Sequence, residues 1–407
     1  MIKKIYTTNL KPGMYVIESG LSINDNPHLY SKEGKIESLD EIQHIISEGF
    51  LDVFIDSNKG SYFKDNPEDK TPIIEEYKEL STSKHKTIPS ERHFDSISRH
   101  IEEAELIYKN SLDYVKNLID SLKYQKKIDF NRGEKYVNQI FAHINNNIDS
   151  LLFISKLKQH DKYTYTHNLN VSIFSIAFST SIGLSDNNVK VIGLSGLFHD
   201  VGKLYINEDI LNKPGKLTTK EFEEIKKHPT LGYNILQADK NSMLEVCRAA
   251  YEHHEKYSGG GYPQNLSFKK ISTYASLISI IDVFDALTSD RSYKRKINVH
   301  KALGIIFNLK GTSFYPILVD KFIKFLGIYP VGSIVLLNSG EKAIVVEQNN
   351  QNLLRPKIRI VMNKNNHYQK IVDLDLCNEK TDDTDRIEIA ECLSPENCRI
   401  NISDFLR

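Results

Sequence analysis

The chain has 407 residues, 40% apolar and 26% charged, the balance of a soluble globular protein and too long for one ordinary core, so two or three domains are expected. Its 53 basic and 53 acidic residues cancel to a formal net charge of zero, which argues against DNA binding by a cationic surface but leaves room for a local basic pocket holding a small anion. No apolar core follows Lys3 and Lys4, no apolar run reaches the roughly 18 residues of a membrane span, and Cys247, Cys377, Cys392 and Cys398 lack a spacing pattern, so a cytoplasmic protein without membrane association is expected.

Residues 1–65 are predicted as a small α+β module. Residues 14–17 read as a short strand after the Lys11-Pro-Gly13 turn, and 53–55 as another. Between them, 39–49 reads as a helix with Ile42, Ile45 and Ile46 on one face and Gly49 as its C-cap. Residues 66–134 comprise a polar linker, whose composition begins near 60, and a long connector helix. From 94 to 122 the apolar residues Ile97, Ile101, Ala104, Tyr108, Val115, Ile119 and Leu122 recur at three- and four-residue steps. Such a stripe suits a homodimer formed through the connector helix, or a helix packed on the next domain. The second fits better, because a clean apolar residue is missing near 111. Residues 135–325 read as consecutive amphipathic helices with no convincing strand. After Tyr329-Pro-Val-Gly332 the period changes, and 326–380 is predicted as a small β-rich module with strands at 333–337, 342–346 and 357–361. Residues 381–407 read as a loosely held tail. The expected fold is therefore multi-domain: a central all-α bundle between an α+β N-terminal module and a β-rich C-terminal one.

The chemistry concentrates in the helical third. His199 and Asp200 end an apolar stretch and are followed by Gly202 and Lys203. His167 lies upstream, and His228, His253, His254 and Asp282 lie downstream. His167 shares a helical face with Val171 and Phe174, His199 with Ile192 and Gly196, and Asp282 sits within Leu277-Ile-Ser-Ile-Ile-Asp-Val-Phe284. One core histidine is easily satisfied as a structural group. Five histidines and two aspartates pointing inward are better satisfied together, by metal. With no thiolate among them, structural zinc is disfavoured and iron or manganese suits the mixed nitrogen–oxygen set. Two divalent ions about 3.5–4 Å apart would polarise a phosphodiester and activate a bridging water as hydroxide. His167, His199 and Asp282 would serve one ion and His228, His253 and His254 the other, with Asp200 bridging them and Lys203 reaching a phosphate oxygen.

These residues also carry a resemblance. The chain resembles the HD-GYP phosphodiesterases, a branch of the HD metal-dependent phosphohydrolase superfamily, over roughly residues 150–310. Tyr163-Thr-Tyr-Thr-His167 is similar to the family's opening motif, and His199-Asp-Val-Gly-Lys203 to its HD core. Leu211-Asn-Lys-Pro-Gly-Lys-Leu217 is similar to the loop that follows, and Lys227-His228 with Gly232 comes next. Then come His253-His-Glu-Lys-Tyr-Ser-Gly-Gly-Gly-Tyr-Pro263, with the name-giving Gly261-Tyr262-Pro263, and Asp282-Val-Phe-Asp-Ala-Leu-Thr-Ser-Asp-Arg-Ser-Tyr-Lys294. Weaker matches flank them at Leu10-Lys-Pro-Gly-Met-Tyr-Val16 and Tyr329-Pro-Val-Gly332. The resemblance implies hydrolysis of cyclic di-GMP to pGpG and on to GMP at a centre of two or three iron or manganese ions. It supports the ligand set above, and implies that Tyr262, Arg291 and Lys294 contact the nucleotide beside Lys203 and Gly261. Gly259, Gly260 and Gly261 allow close backbone approach to a ligand. Trinuclear members carry a glutamate where this chain has Tyr163, so two metals are expected. Ser258, Ser292 and Lys294 stand where aspartate, proline and arginine are common.

Two other functions compete. One is a catalytically silent receptor that binds cyclic di-GMP, or protein partners through the Gly-Tyr-Pro loop; retention of His199, Asp200, His253 and His254 weighs against it. The other is a di-iron oxygenase, against which the Lys203, Arg291 and Lys294 set favours an anionic phosphodiester.

Overall fold

The computed structural model describes residues 2–6, 10–17, 29–30, 32–47, 52–56, 59, 94–125, 128–157, 163–267, 270–289, 296–349, 352–378, 386–393, 398, 400 and 402–405. The chain divides into two compact units, Met1–Lys70 and Thr71–Arg407.

In the first unit, strands β1 (Ile2–Tyr6), β2 (Tyr15–Val16), β4 (Gly34–Lys35) and β5 (Asp52–Asp56) form a sheet in the order β1-β5-β2-β4, and β3 (Leu29–Tyr30) pairs with β5 in parallel. Helix α1 (Leu39–Ser47) buries Ile42 and Ile45 in a small core with Leu10, Met14, Val16, Ile36, Val53 and Ile55. The expected cap at Gly49 and the linker composition beyond residue 60 lie outside the described residues.

The second unit begins with α2 (Phe94–Gln125), 32 residues free of Gly and Pro. Its stripe is consumed within the chain. Ala104, Tyr108, Leu112, Val115, Ile119 and Leu122 are buried, and the helix packs on α4 (Ile148–Leu157), α5 (Tyr163–Ser181) and α3 (Phe130–Asn146). The gap near 111 is filled by fully buried Ser111 and by Leu112.

Helix α5 lies against α6 (Asp186–Phe198), and glycine lets them close. A Cβ on Gly196 would stand 2.9 Å from Ser172 Cα. Ser185 caps α6 by accepting from Asn188 N–H, and Ser272 caps α11 (Thr273–Thr288) by accepting from Ala275 N–H. Helix α11 is buried along most of its length, as a helix at the centre of a bundle must be. The bundle also contains α7 (Glu208–Leu211), α8 (Thr219–Ile225), α9 (His228–Gln237), α10 (Leu244–Glu252), α12 (Val299–Asn308) and α13 (Pro316–Leu326). No strand forms between 135 and 325 among the described residues.

The C-terminal sheet is antiparallel, in the order β10-β6-β7-β8-β9, with β6 (Ile334–Leu337), β7 (Lys342–Glu347), β8 (Lys357–Met362), β9 (Tyr368–Asp375) and β10 (Ile389–Leu393). Strand alternation splits its apolar residues. Ile334, Ile344 and Val346 join the helical core, while Val335, Ala343 and Val345 form a second core with Ile358 and Leu376. The loosely held tail expected from residue 381 is corrected here. Strand β10 pairs with β6, and Cys398 and Ile400 are buried. The acidic run before β10 obscures it in the sequence. Strand β9, equally unexpected, is an edge strand whose Ile371 and Val372 are exposed.

Candidate metal centre

Five helices converge on one buried point. His167 projects from the first turns of α5 and Asp282 from α11. His199 is not on a helix face but caps the C-terminus of α6, and Asp200 turns the chain into a 3-10 segment, Val201–Tyr205. His228 opens α9, with Pro229 in the first turn, and His253 caps α10. Helix ends bring ligands from short, rigid segments to a common centre. Gly202 makes the convergence sterically possible, since a Cβ there would collide with the His228 carbonyl oxygen and lie 2.5 Å from Gly232 N.

Two groups of donor atoms result. His167, His199 and Asp282 form one, and Asp200, His228, His253 and His254 the other; within each, all donors lie within 4.8 Å of one another. All seven side chains are buried except half-buried His254. Asp200 faces both groups. Its Oδ2 is 3.4 Å from His199 Nε2 and 3.6 Å from His167 Nε2, and its Oδ1 is 3.3 Å from His228 Nε2 and 3.7 Å from His253 Nε2. The His199 Nε2 and Asp200 Oδ1 atoms are buried without a hydrogen-bond partner. Such orphaned atoms are costly unless something binds them, and imidazole nitrogens with carboxylate oxygens are the donors a divalent cation takes. The residues fit a metal.

The far ring nitrogens show how the histidines are aimed. Nδ1 of His199 donates to Gly196 O (2.8 Å), of His228 to Ile225 O (2.7 Å) and of His253 to Ala250 O (2.9 Å). Each bond reaches back three residues along the same chain and leaves Nε2 facing the centre. His167 differs: its Nδ1 donates to Asp285 Oδ2 at 2.7 Å, while Nε2 lies 3.1 Å from Asp282 Oδ1. Asp285 was not singled out in the sequence, although its position three residues after Asp282 places both on one helical face.

Protonation without metal follows the same layout. Burial disfavours the cationic form of His199, but Asp200 and Asp282 outweigh it and raise its pKa to about 10. His167 is raised in the same way, burial being outweighed by Asp282 and Asp285. Burial lowers His253 to about 4, with the charges of His199 and His228 adding to the effect. Burial also holds His254 well below the ordinary imidazole range, helped by His253 and His228. Asp200 stays well below the carboxylate range: burial opposes this, and Lys203 and His199 overcome it.

Lys203, expected to reach a phosphate, places Nζ 2.5 Å from Asp200 Oδ2 and is partly exposed. The Gly-Tyr-Pro loop folds over the centre. Tyr262 N–H donates to His254 O at 3.3 Å. Buried Glu255, also missed in the sequence, accepts from Gln264 N–H at 2.6 Å and Leu266 N–H at 2.9 Å. A Cβ on Gly261 would stand 2.5 Å from Glu255 Cα, so only glycine fits beneath the loop. Gly259 and Gly260 have φ of 88° and 77°, and Ser258 Oγ donates to Thr312 O at 3.0 Å. Phe222 of α8, 44% exposed, meets Tyr262 edge-on at 6.4 Å, and Lys226 Nζ lies over both rings. Arg291 and Lys294 lie outside the described residues.

Comparison with known proteins places these features. Residues 153–316 match the HD domain family, 2–132 a domain of unknown function (DUF3391), and 334–399 a KOW domain associated with HD domain. The chain is 32% identical over 390 residues to a cyclic di-GMP phosphodiesterase of Pseudomonas aeruginosa, covering 95% of this chain and 91% of that one. It is 32% identical over 220 residues to a cyclic di-GMP phosphodiesterase of Thermotoga maritima, covering 54% and 57%. It is 33% identical over 157 residues to 3'3'-cGAMP-specific phosphodiesterase 1 of Vibrio cholerae, covering 39% and 36%. No described helix is long and apolar enough to cross a membrane. The HD core, the Gly-Tyr-Pro loop and a relative matched along nearly the whole chain agree, and the chain belongs to the HD-GYP phosphodiesterase family.

Proposed function

We propose that this chain hydrolyses cyclic di-GMP to pGpG and GMP at a binuclear metal centre. The observation that carries the reading is the placement of Asp200, whose two carboxylate oxygens face two separate sets of imidazole nitrogens. A carboxylate so placed could serve both sets. His167, His199 and Asp282 hold one ion, and His228, His253 and His254 the other. Two divalent ions held there, iron or manganese by the donor set, would polarise a phosphodiester and lower the pKa of a bound water. Lys203 lies close enough to share its charge between Asp200 and a phosphate oxygen. Tyr262, Gly261, Arg291 and Lys294 hold the nucleotide, the tyrosine by stacking and the cations through phosphate or a guanine edge. The P. aeruginosa relative, matched along nearly the whole chain, supports cyclic di-GMP over 3'3'-cGAMP. We assign catalysis to the segment 135–325, which carries all seven candidate ligands.

The test is turnover by anaerobically purified protein supplied with ferrous iron or manganese, with cyclic di-GMP and 3'3'-cGAMP offered separately and products resolved chromatographically. Release of pGpG or GMP from cyclic di-GMP, abolished in His199→Ala/Asp200→Ala, is the expected result. Metal bound without turnover of either nucleotide would overturn the enzyme reading.

A further inference from the structure

Three of the metal-facing histidines are held by backbone carbonyls three residues earlier in the chain, which no side-chain change elsewhere can easily disturb. His167 is held by a side chain, and that side chain is itself held. Asp285 Oδ2 accepts from His167 Nδ1, while Asp285 Oδ1 accepts from Asn170 Nδ2 at 3.0 Å and from Ser289 Oγ at 3.1 Å. Asn170 lies one turn beyond His167 on α5, so both reach the same carboxylate from α11. The amide oxygen of Asn170 accepts from the hydroxyl of Tyr108 at 3.2 Å. Tyr108 belongs to α2. Tyr108, Asn170, Asp285 and His167 are each no more than 2% exposed, so the chain of hydrogen bonds runs where water cannot replace a lost partner.

We infer that Tyr108 is a positioning residue for the metal centre, acting on His167 through Asn170 and Asp285; this rests on the two-metal reading above. Each link fixes the next. The tyrosine hydroxyl donates only if the amide presents its oxygen to α2. That orientation turns the amide nitrogen toward Asp285, and the carboxylate then holds the proton on His167 Nδ1 and leaves Nε2 free for a cation. A displacement of α2 along or about its axis moves the hydroxyl and loosens one ligand of one ion. Val115 and Ile119 of α2 also line a small cavity together with Asn168 and Asp200. The match to a domain of unknown function spans 2–132 and so includes Tyr108. The region without an assigned role therefore supplies a side chain that sets how tightly the HD centre holds metal.

The experiment is stepwise Mn2+ titration of metal-free full-length protein against a competing chromophoric chelator, with thermal melting of each metal-free variant. Wild type is expected to bind two ions. Asp285→Asn should weaken one of the two by about 10–100-fold and leave the other unchanged. Tyr108→Phe, which keeps the buried ring, should weaken the same ion by about three- to tenfold with little change in melting temperature. The double variant should be no weaker than Asp285→Asn alone, because both act through one bond. If Tyr108→Phe does not fold, Asn170→Ser cuts the same link from α5 and carries the same expectation. Failure of wild type to bind manganese would sink the metal reading itself. Two ions bound with wild-type affinity by the variants, equal weakening of both ions, or additive losses in the double variant would each overturn the relay alone.

Discussion

Tyr262 lies nearly parallel to His254, with ring centroids 4.8 Å apart and planes 28° from each other. The loop that carries the tyrosine is thereby packed on His254, and anything bound against the ring is held beside the candidate metal centre. Burial raises the phenol pKa, with Asp200 and Asp282 adding to it, so the ring is neutral through the working range. Tyr262→Ala is expected to raise KM for cyclic di-GMP by about 5- to 150-fold, since base stacking on an aromatic is worth about 1–3 kcal/mol, while metal content stays at the wild-type level. Tyr262→Phe should stay within a few-fold of wild type. A large loss of kcat in the phenylalanine variant would assign the hydroxyl a role that this geometry does not give it.

Gly202 should tolerate no side chain. The Cβ of alanine would strike the His228 carbonyl and the backbone of α9, and backbone cannot swing aside as a flexible side chain can. Gly202→Ala is expected to destabilise the fold by about 1–3 kcal/mol and to weaken the ion held by His228, His253 and His254. Denaturant melts with and without manganese read both effects, and a variant as stable and as metal-replete as wild type would show that the 3-10 segment can shift at no cost.

Lys203 pairs with Asp200 but remains 26% exposed, so it can lean toward a bound phosphate without leaving its partner. Lys203→Ala should keep both metals and lower kcat by about 10²-fold, the scale of losing one preorganised charge contact. Unchanged kcat removes it from the chemistry. Arg291→Ala should act on KM instead, and an unaltered KM would exclude that contact.

The candidate ligands could be picked out because inward-facing polar groups stand at positions where the helical period calls for apolar ones. His167 and Asp282 are the clearest cases, and the structure brings each of them beside His199. The partners that aim the ligands left no such mark. Asp285 and Asn170 read as ordinary helix residues until α5 and α11 are placed side by side, and Tyr108 reads as one more member of an apolar stripe. Helix–helix contacts between residues 62 to 118 positions apart are fixed by packing, which no single-segment period encodes. The same applies to β10, whose short run gains its meaning from β6 rather than from its own alternation.

The pH response of the metal-free protein follows from two opposite sets of histidines. His253, near 4, and His254, also lowered, stay neutral when folded, whereas their unfolded counterparts protonate below about 6.5. The unfolded state then binds more protons, so stability falls as pH drops from about 6.5 toward 4. His199, near 10, and His167, also raised, work the other way. Their stabilisation is fully present below about 6.5 and is lost as pH climbs toward 10. The melting temperature of metal-free protein should therefore peak near neutrality and fall on both sides. Metal binding needs unprotonated imidazoles, so manganese should raise the melting temperature more at pH 8.5 than at pH 5.5 and remove the alkaline decline. Melting curves across that range, recorded with chelator and with excess manganese, check both limbs. An alkaline decline that persists at saturating metal would show that groups outside the seven candidate ligands control it.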